Sequence, residues 1–206
     1  MKLSNILNAV LAIVIVCMAA YLFTQKAESP AGNSNPVIDN ILNRTSIRAY
    51  QQRAIAPDTI EQILRAGMAA PTAVNKQPWA FIVITDADTR KALADRLPYA
   101  KMTEKAPLAI VVCGDLSKSL EGDATDFWIQ DVSAATENIL LAAHSFGLGA
   151  VWTGVYPLSE RVKAVQEVLS LPEHIIPLNV VPIGFPAEQP VPKDKWKIDN
   201  IHSNKW

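Results

Sequence analysis

Apolar residues follow three rhythms along this chain, and each predicts a different kind of element. From Ile6 to Phe23 the apolar run is broken only by Asn8, with Lys2 before it and the polar stretch Thr24 to Asn35 after it. At about 1.5 Å per residue a helix over this run would span roughly 27 Å, close to the roughly 30 Å of a bilayer's hydrocarbon. A cleaved signal segment has a shorter apolar centre and a small-residue exit, whereas this run continues through Tyr21, Leu22 and Phe23. Val16, the residue before Cys17, is not the small residue of a lipidation site. The reading is a single uncleaved transmembrane anchor over 6–23, with residues 1–5 as a short flank and 24–36 as a flexible linker rich in Pro, Ser, Gly and Asn. A signal segment over the same residues is one alternative; a buried core helix is another, and the linker argues against it by isolating the segment. Lys2 and the α-amino group face Lys26, which Glu28 offsets. The result is a slight N-terminus-inside bias that would place the rest of the chain outside the cytoplasm.

The second rhythm is helical. Val37, Ile38, Ile41 and Leu42 follow it after Pro36, with Ser34 or Asn35 available as cap and an end near Asn43. Ile60, Ile63, Leu64 and Met68 follow it between Pro57 and Pro71, and Asp88 to Leu97 and Leu158 to Leu169 read as further helices. The longest such stretch is Thr125 to Phe146, which carries Ile129, Val132, Ala135, Ile139, Leu140 and Ala143 on one side and ends at Gly147-Leu-Gly149. The third rhythm is the continuous short run. Ala80 to Thr85 and Leu108 to Cys113 suit strands buried on both faces, and Ala150 to Trp152 and Asn179 to Ile183 complete the set. Together these predict a mixed α/β sandwich in one domain over residues 37–206.

Composition narrows the chemistry. The formal net charge of the 206 residues is −1, so no basic field invites nucleic acid. Cys17 and Cys113 are the only cysteines, and their positions exclude a disulfide framework. Three scattered histidines, His144, His174 and His202, offer no metal-ligand spacing, and no metal is expected.

Two clusters carry candidate chemistry. Arg44-Thr-Ser-Ile-Arg48-Ala-Tyr50 places two guanidiniums and two hydroxyls just beyond a short helix. A guanidinium offers phosphate a planar fork of N–H donors; a solvated charged turn is the plainer reading of such a string. Ala70-Pro-Thr-Ala-Val-Asn75-Lys-Gln-Pro-Trp79 is a rigid loop whose Asn75 and Gln77 carry both donors and acceptors, suited to the edge of a heteroaromatic ring. Trp79 itself reads as a core anchor.

Those two segments, followed by Gly147-Leu-Gly-Ala-Val-Trp-Thr-Gly154 and by Ile183-Gly-Phe-Pro186 with Pro192-Lys-Asp-Lys195, resemble in order and spacing the signature segments of the nitroreductase family. The resemblance covers residues 37 to about 200. It implies an α+β fold, a three-layer α/β/α sandwich with a mixed sheet, assembled as an intertwined homodimer with FMN at two interface sites. It further implies that Arg44, Ser46 and Arg48, with Thr45 beside them, hold the FMN phosphate and ribityl chain, joined by Lys193 and Lys195. For those lysines, solvated surface charge is the alternative. Pro71, Thr72, Ala73 and Asn75 would approach the flavin ring from the partner subunit. The backbone of Thr153 and Gly154 would lie near flavin N5 and O4. Tyr99, Lys101 and Met102 fall where the family often contacts the ring.

The resemblance implies an FMN-dependent oxidoreductase that takes hydride from NADH or NADPH and reduces a small acceptor such as a nitroaromatic or a quinone in two-electron steps. The flavin carries that chemistry, so no catalytic side chain is nominated. His144, between Ala142, Ala143 and Phe146, reads as helix packing. No G-x-S-x-G occurs, and Gly147-Leu-Gly149 follows a helix and precedes a strand, the reverse of the dinucleotide-binding order. The competing readings are a flavin-destroying or dehalogenating relative on the same fold, and a membrane-tethered electron relay.

Overall fold

The computed structural model describes Met18 and residues 35–206. The chain divides into two units, Met1–Asp39 and Asn40–Trp206, and apart from the helix that begins at Pro36 the architecture below is that of the second. The expected anchor over 6–23, Met18 apart, and most of the linker lie outside the described residues. Among the described residues no helix is long and apolar enough to cross a membrane.

Helix α1 spans Pro36–Asn43. The Asn35 side chain caps it, its Oδ1 accepting the N–H groups of Val37 at 3.0 Å and Ile38 at 3.4 Å. Its apolar residues Val37, Ile38, Ile41 and Leu42 are all exposed. The remaining elements are α2 (Pro57–Met68), β1 (Trp79–Ile84), α3 (Ala87–Arg96), β2 (Leu108–Asp115), α4 (Phe127–Ser145), β3 (Gly149–Ala150), β4 (Thr153–Gly154), α5 (Ser159–Leu169) and β5 (Ile175–Gly184). Gly147, at φ +69°, ends α4: Leu148 N–H returns to the carbonyl of Ala143 at 2.9 Å and Gly147 N–H to that of His144, a glycine stop in the left-handed region.

The sheet runs β1-β2-β5-β3, with β4 also paired to β5. Strand β2 shows why it is fully buried. Leu108, Ile110 and Val112 meet Ile63 of α2 and Val132 and Ile139 of α4 on one face. Ala109, Val111 and Cys113 meet Leu93 of α3 and Val165 of α5 on the other. The period-2 alternation of a strand thus feeds two separate cores, giving the expected α/β/α layering. Trp128 of α4 is 3% exposed and seats on Gly114, where an added Cβ would stand 2.3 Å from its ring, so this tryptophan belongs to the core.

Three expectations need correction. The sheet is not mixed: every pairing between its strands is antiparallel, and the parallel contact among the described residues is an isolated bridge between Ser46 and Ala150. Strand β1 is not buried on both faces but is a half-buried edge, with Val83 exposed, because only β2 flanks it. The strand expected over Ala150 to Trp152 is instead two short pieces. Gly149 and Ala150 pair with Gly184 and Ile183, and Thr153 and Gly154 pair with Val180 and Asn179. The register is continuous across the gap, which puts Pro182 opposite Val151, and proline brings no N–H to a ladder.

Candidate functional site

The segment Arg44 to Tyr50 is held as an irregular extra strand against β3. Ile47 N–H donates to the carbonyl of Ala150 at 3.0 Å, beside the Ser46–Ala150 bridge. The two chains lie so close that a Cβ on Gly149 would stand 2.5 Å from Cβ of Ile47. Tyr50 is buried, and its hydroxyl donates to the carbonyl of Ile47 at 2.6 Å, with that of Pro182 3.2 Å away. Burial pushes its phenol well above the ordinary range, against the lowering charge of Arg48. Beyond it, Gln51 N–H reaches the carbonyl of Phe185 and Ala187 N–H that of Ala49, both at 2.9 Å. The Glu188 carboxylate accepts the N–H groups of Arg48 and, at 3.1 Å, of Ala49.

This zipper fixes the backbone and leaves the cluster's polar side chains largely unused. The half-buried hydroxyls of Thr45 and Ser46 have no hydrogen-bond partner among the described residues, and Arg48 projects from an exposed position without an ion pair. Arg44 is more enclosed, its side chain 20% exposed, and its Nε lies 3.4 Å from Glu137 Oε1 of α4. His144, two turns further along α4, is held below its ordinary basicity by burial and then by the charge of Arg44. Two guanidiniums and two idle hydroxyls on one fixed turn form a donor set that suits a phosphate monoester.

Strand β4 offers a different surface. Thr153 is buried, and its hydroxyl donates to the carbonyl of Val180. Gly154 is exposed, and a Cβ on it would meet nothing within 4 Å, so the backbone here is open to close approach by a flat ligand. Its carbonyl accepts from Arg161 Nη1 at 3.0 Å, and that guanidinium also lies 5.1 Å from the ring centroid of Tyr99. Leu97, Pro98, Ala100 and Thr153 complete the lining of the cleft. Gly154 lies four residues beyond Ala150 along β5's edge, roughly 13 Å at strand rise, so the Arg44–Arg48 turn and the open backbone share one edge of the sheet.

The loop from Pro71 to Gln77 sits elsewhere. Ala73–Asn75 form a 3-10 turn, and Val74, Asn75 and Gln77 take φ of 50°, 57° and 51°. A non-glycine residue costs about 1–2 kcal/mol in that region, so the loop is made against local preference. Thr72 Oγ1 accepts Gln77 N–H at 3.1 Å, Asn75 Oδ1 accepts from Gln77 Nε2 at 3.0 Å, and Asp131 of α4 accepts Ala73 N–H at 2.8 Å. Pro71 and Asn75 are exposed, Thr72 and Ala73 half-buried. Asp131 and Glu137 are six residues apart on α4, about 120° around its axis, so the loop and Arg44 lie on different faces of that helix.

Met102 packs, half-buried, with Ile47, Tyr50 and Ala106, supporting the Arg44–Tyr50 segment from below. Lys193 and Lys195 lie in the exposed stretch 187–206 and make no hydrogen bond or ion pair with described residues, so the single chain does not bring them to Arg44. Sequence reasoning missed Asp131, Glu137, Arg161 and Glu188. Each is a charged residue whose local sequence shows nothing unusual, and only tertiary placement singles it out.

A family model described as the nitroreductase family matches residues 41–98 and 94–185. A Methanothermobacter thermautotrophicus protein named as an NADH dehydrogenase/NAD(P)H nitroreductase is 48% identical over 170 residues, covering 82% of this chain and 87% of the relative. A crystal structure of a protein so named from Parabacteroides distasonis superposes with a TM-score of 0.80 at 45% identity, over 84% of this chain and 100% of that one. A nitroreductase from Desulfovibrio desulfuricans, solved in complex with FMN, gives 0.72 at 29% identity over 84% and 99%. With most of its folded residues inside the family model and close relatives matched along nearly their whole length, this chain belongs to the nitroreductase family.

Proposed function

We propose that this chain is an FMN-dependent oxidoreductase that takes electrons from NADH or NADPH and passes them, two at a time, to a small acceptor of the nitroaromatic or quinone kind. The observation that carries the reading is the shared sheet edge: a turn of phosphate donors at one end, of which the Thr45, Ser46 and Arg48 side chains have no partner among the described residues, and an open, side-chain-free backbone at Gly154 at the other. Relatives named as NAD(P)H nitroreductases and a structural neighbour holding FMN support it.

FMN, when bound, supplies hydride acceptance and delivery. The chain's own residues position it. Arg44 and Arg48 would hold the phosphate, with Thr45 and Ser46 filling lone pairs that the guanidiniums miss. The Thr153 and Gly154 backbone would donate to the ring edge where negative charge grows on reduction. Pro71, Thr72, Ala73 and Asn75 would flank a ring held mainly by the partner, because one chain places that loop and Arg44 on different faces of α4. A homodimer follows from the same argument and fits the exposed apolar residues of α1 and of the C-terminal stretch, Val191, Trp196, Ile198 and Ile201. Lys193 and Lys195, carried by that stretch, would complete the phosphate site through assembly. The run 6–23 would tether the domain, residues 37–206, to a membrane.

The test is the visible spectrum of the purified full chain with added FMN, before and after anaerobic NADH or NADPH. Loss of the flavin band near 450 nm, an approximate value for flavins, is expected. Bound flavin that stays oxidised would replace this reading with another donor or an electron relay, and absence of bound flavin would refute it.

A further inference from the structure

We propose that Asp131 is a positioning residue that sets the shape of the Pro71–Gln77 loop and, through it, the affinity and midpoint potential of the flavin; this rests on the FMN reading above. Asp131 is 6% exposed, and its hydrogen bond is the one its Oδ1 accepts from Ala73 N–H at 2.8 Å, across 58 residues of sequence. The second carboxylate oxygen has no partner among the described residues, and no cation pairs with the group. A single hydrogen bond from one neutral backbone donor is only a modest contribution to stability. What the carboxylate supplies is a fixed acceptor at the start of the turn that holds Ala73, Val74 and Asn75.

Helix α4 acts as a mould for this loop. Asn138 lies seven residues beyond Asp131, within about 20° of the same face. Its Nδ2 donates to the carbonyl of Ala66 near the end of α2 at 2.9 Å. Between the two, Gly67 lets α2 approach α4 closely, with an added Cβ only 3.0 Å from Ile139 Cγ1. One side chain thus fixes where α2 ends and the other fixes where the turn begins. The three residues at positive φ, Val74, Asn75 and Gln77, are then held by bonds from both ends. Without the Asp131 bond, Ala73 N–H is left without its acceptor, and the turn is free to relax toward ordinary backbone conformations.

The experiment compares the full-length wild type with Asp131→Ala and Asp131→Asn. FMN dissociation constants come from fluorescence titration, midpoint potentials from spectroelectrochemistry, and amide exchange at Ala73 is followed in the flavin-free protein. Asp131→Ala is expected to weaken FMN at least tenfold, to shift the potential and to remove protection at Ala73. Asp131→Asn, which keeps an acceptor oxygen, is expected to recover affinity to within about threefold. The proposal is overturned if Asp131→Ala lowers melting temperature while affinity and potential, measured well below that temperature, match the wild type. It is equally overturned if asparagine recovers nothing. A wild type that binds no FMN would overturn the functional reading as well, and so is distinguishable from both.

Discussion

Gly154→Ala isolates the opening on β4 from the fold that carries it. The backbone at Gly154 is outside the left-handed region, and an added methyl meets nothing within 4 Å. Stability of the flavin-free protein should therefore stay within about 0.5 kcal/mol, the usual range for a surface change. The methyl would nevertheless occupy the space in front of the backbone, where a flat ring must lie to receive its N–H donors. Forcing one methyl into a close-packed contact costs about 1–3 kcal/mol, which is about five- to 150-fold in the FMN dissociation constant. Gly149→Ala is the contrast. There the methyl would stand 2.5 Å from Cβ of Ile47 and 2.6 Å from both of its γ-carbons. Ile47 is 6% exposed and branched at Cβ, so no rotamer change clears the clash. Gly149→Ala should thus destabilise the fold by at least 1–3 kcal/mol, about the cost of overpacking a core. Thermal melting without flavin and fluorescence titration with FMN separate the two effects. Gly154→Ala binding FMN within twofold of the parent would refute the placement of the ring at β4.

Three further outcomes are expected. Arg44→Ala should weaken FMN about tenfold or more, since hydrogen bonds to charged groups contribute about 1.5–3 kcal/mol; equal retention of flavin would remove Arg44 from the phosphate site. Leu42→Asp places a charge on an exposed apolar position of α1, and sedimentation velocity should show a smaller dimer fraction than the parent; a parent that is a monomer yet retains flavin would sink the shared-site reading. His144 is less basic in the folded chain than its ordinary 6.5, so the unfolded chain takes up its proton first as pH falls. Its contribution is present above pH 6.5 and lost as pH drops toward the folded value, and His144→Gln should flatten that loss in flavin-free urea titrations.

The layers of this fold were readable because α4 and β2 are long and strongly patterned. Val132, Ile139, Ile110 and Val112 repeat at the periods their elements require, and the structure buries all four. What could not be read were features set by neighbours. The apolar run at β1 looks like that of β2, and only its place at the sheet edge leaves Val83 exposed. The break between β3 and β4 depends on Pro182, some thirty residues away in sequence and opposite Val151 only once β5 is paired. The same holds for the candidate site. Arg44 to Arg48 and the Pro71 loop stand out as strings, because guanidiniums, prolines and amides cluster there. Glu188, Arg161 and Asp131 do not, since a single charged residue is unremarkable until it meets the N–H groups of Arg48, the carbonyl of Gly154 or the N–H of Ala73.

The exposed stretch after Gly184 also has a practical consequence. Lys193, Lys195, Lys197 and Lys205 all lie within 187–206, every residue of which is exposed in the single chain. Exposed segments without regular structure are where proteases cut first. Trypsin should therefore remove this end rapidly from dissociated protomers and slowly from any assembly that covers it. The clipping rate, followed against protein dilution, is a label-free gauge of association.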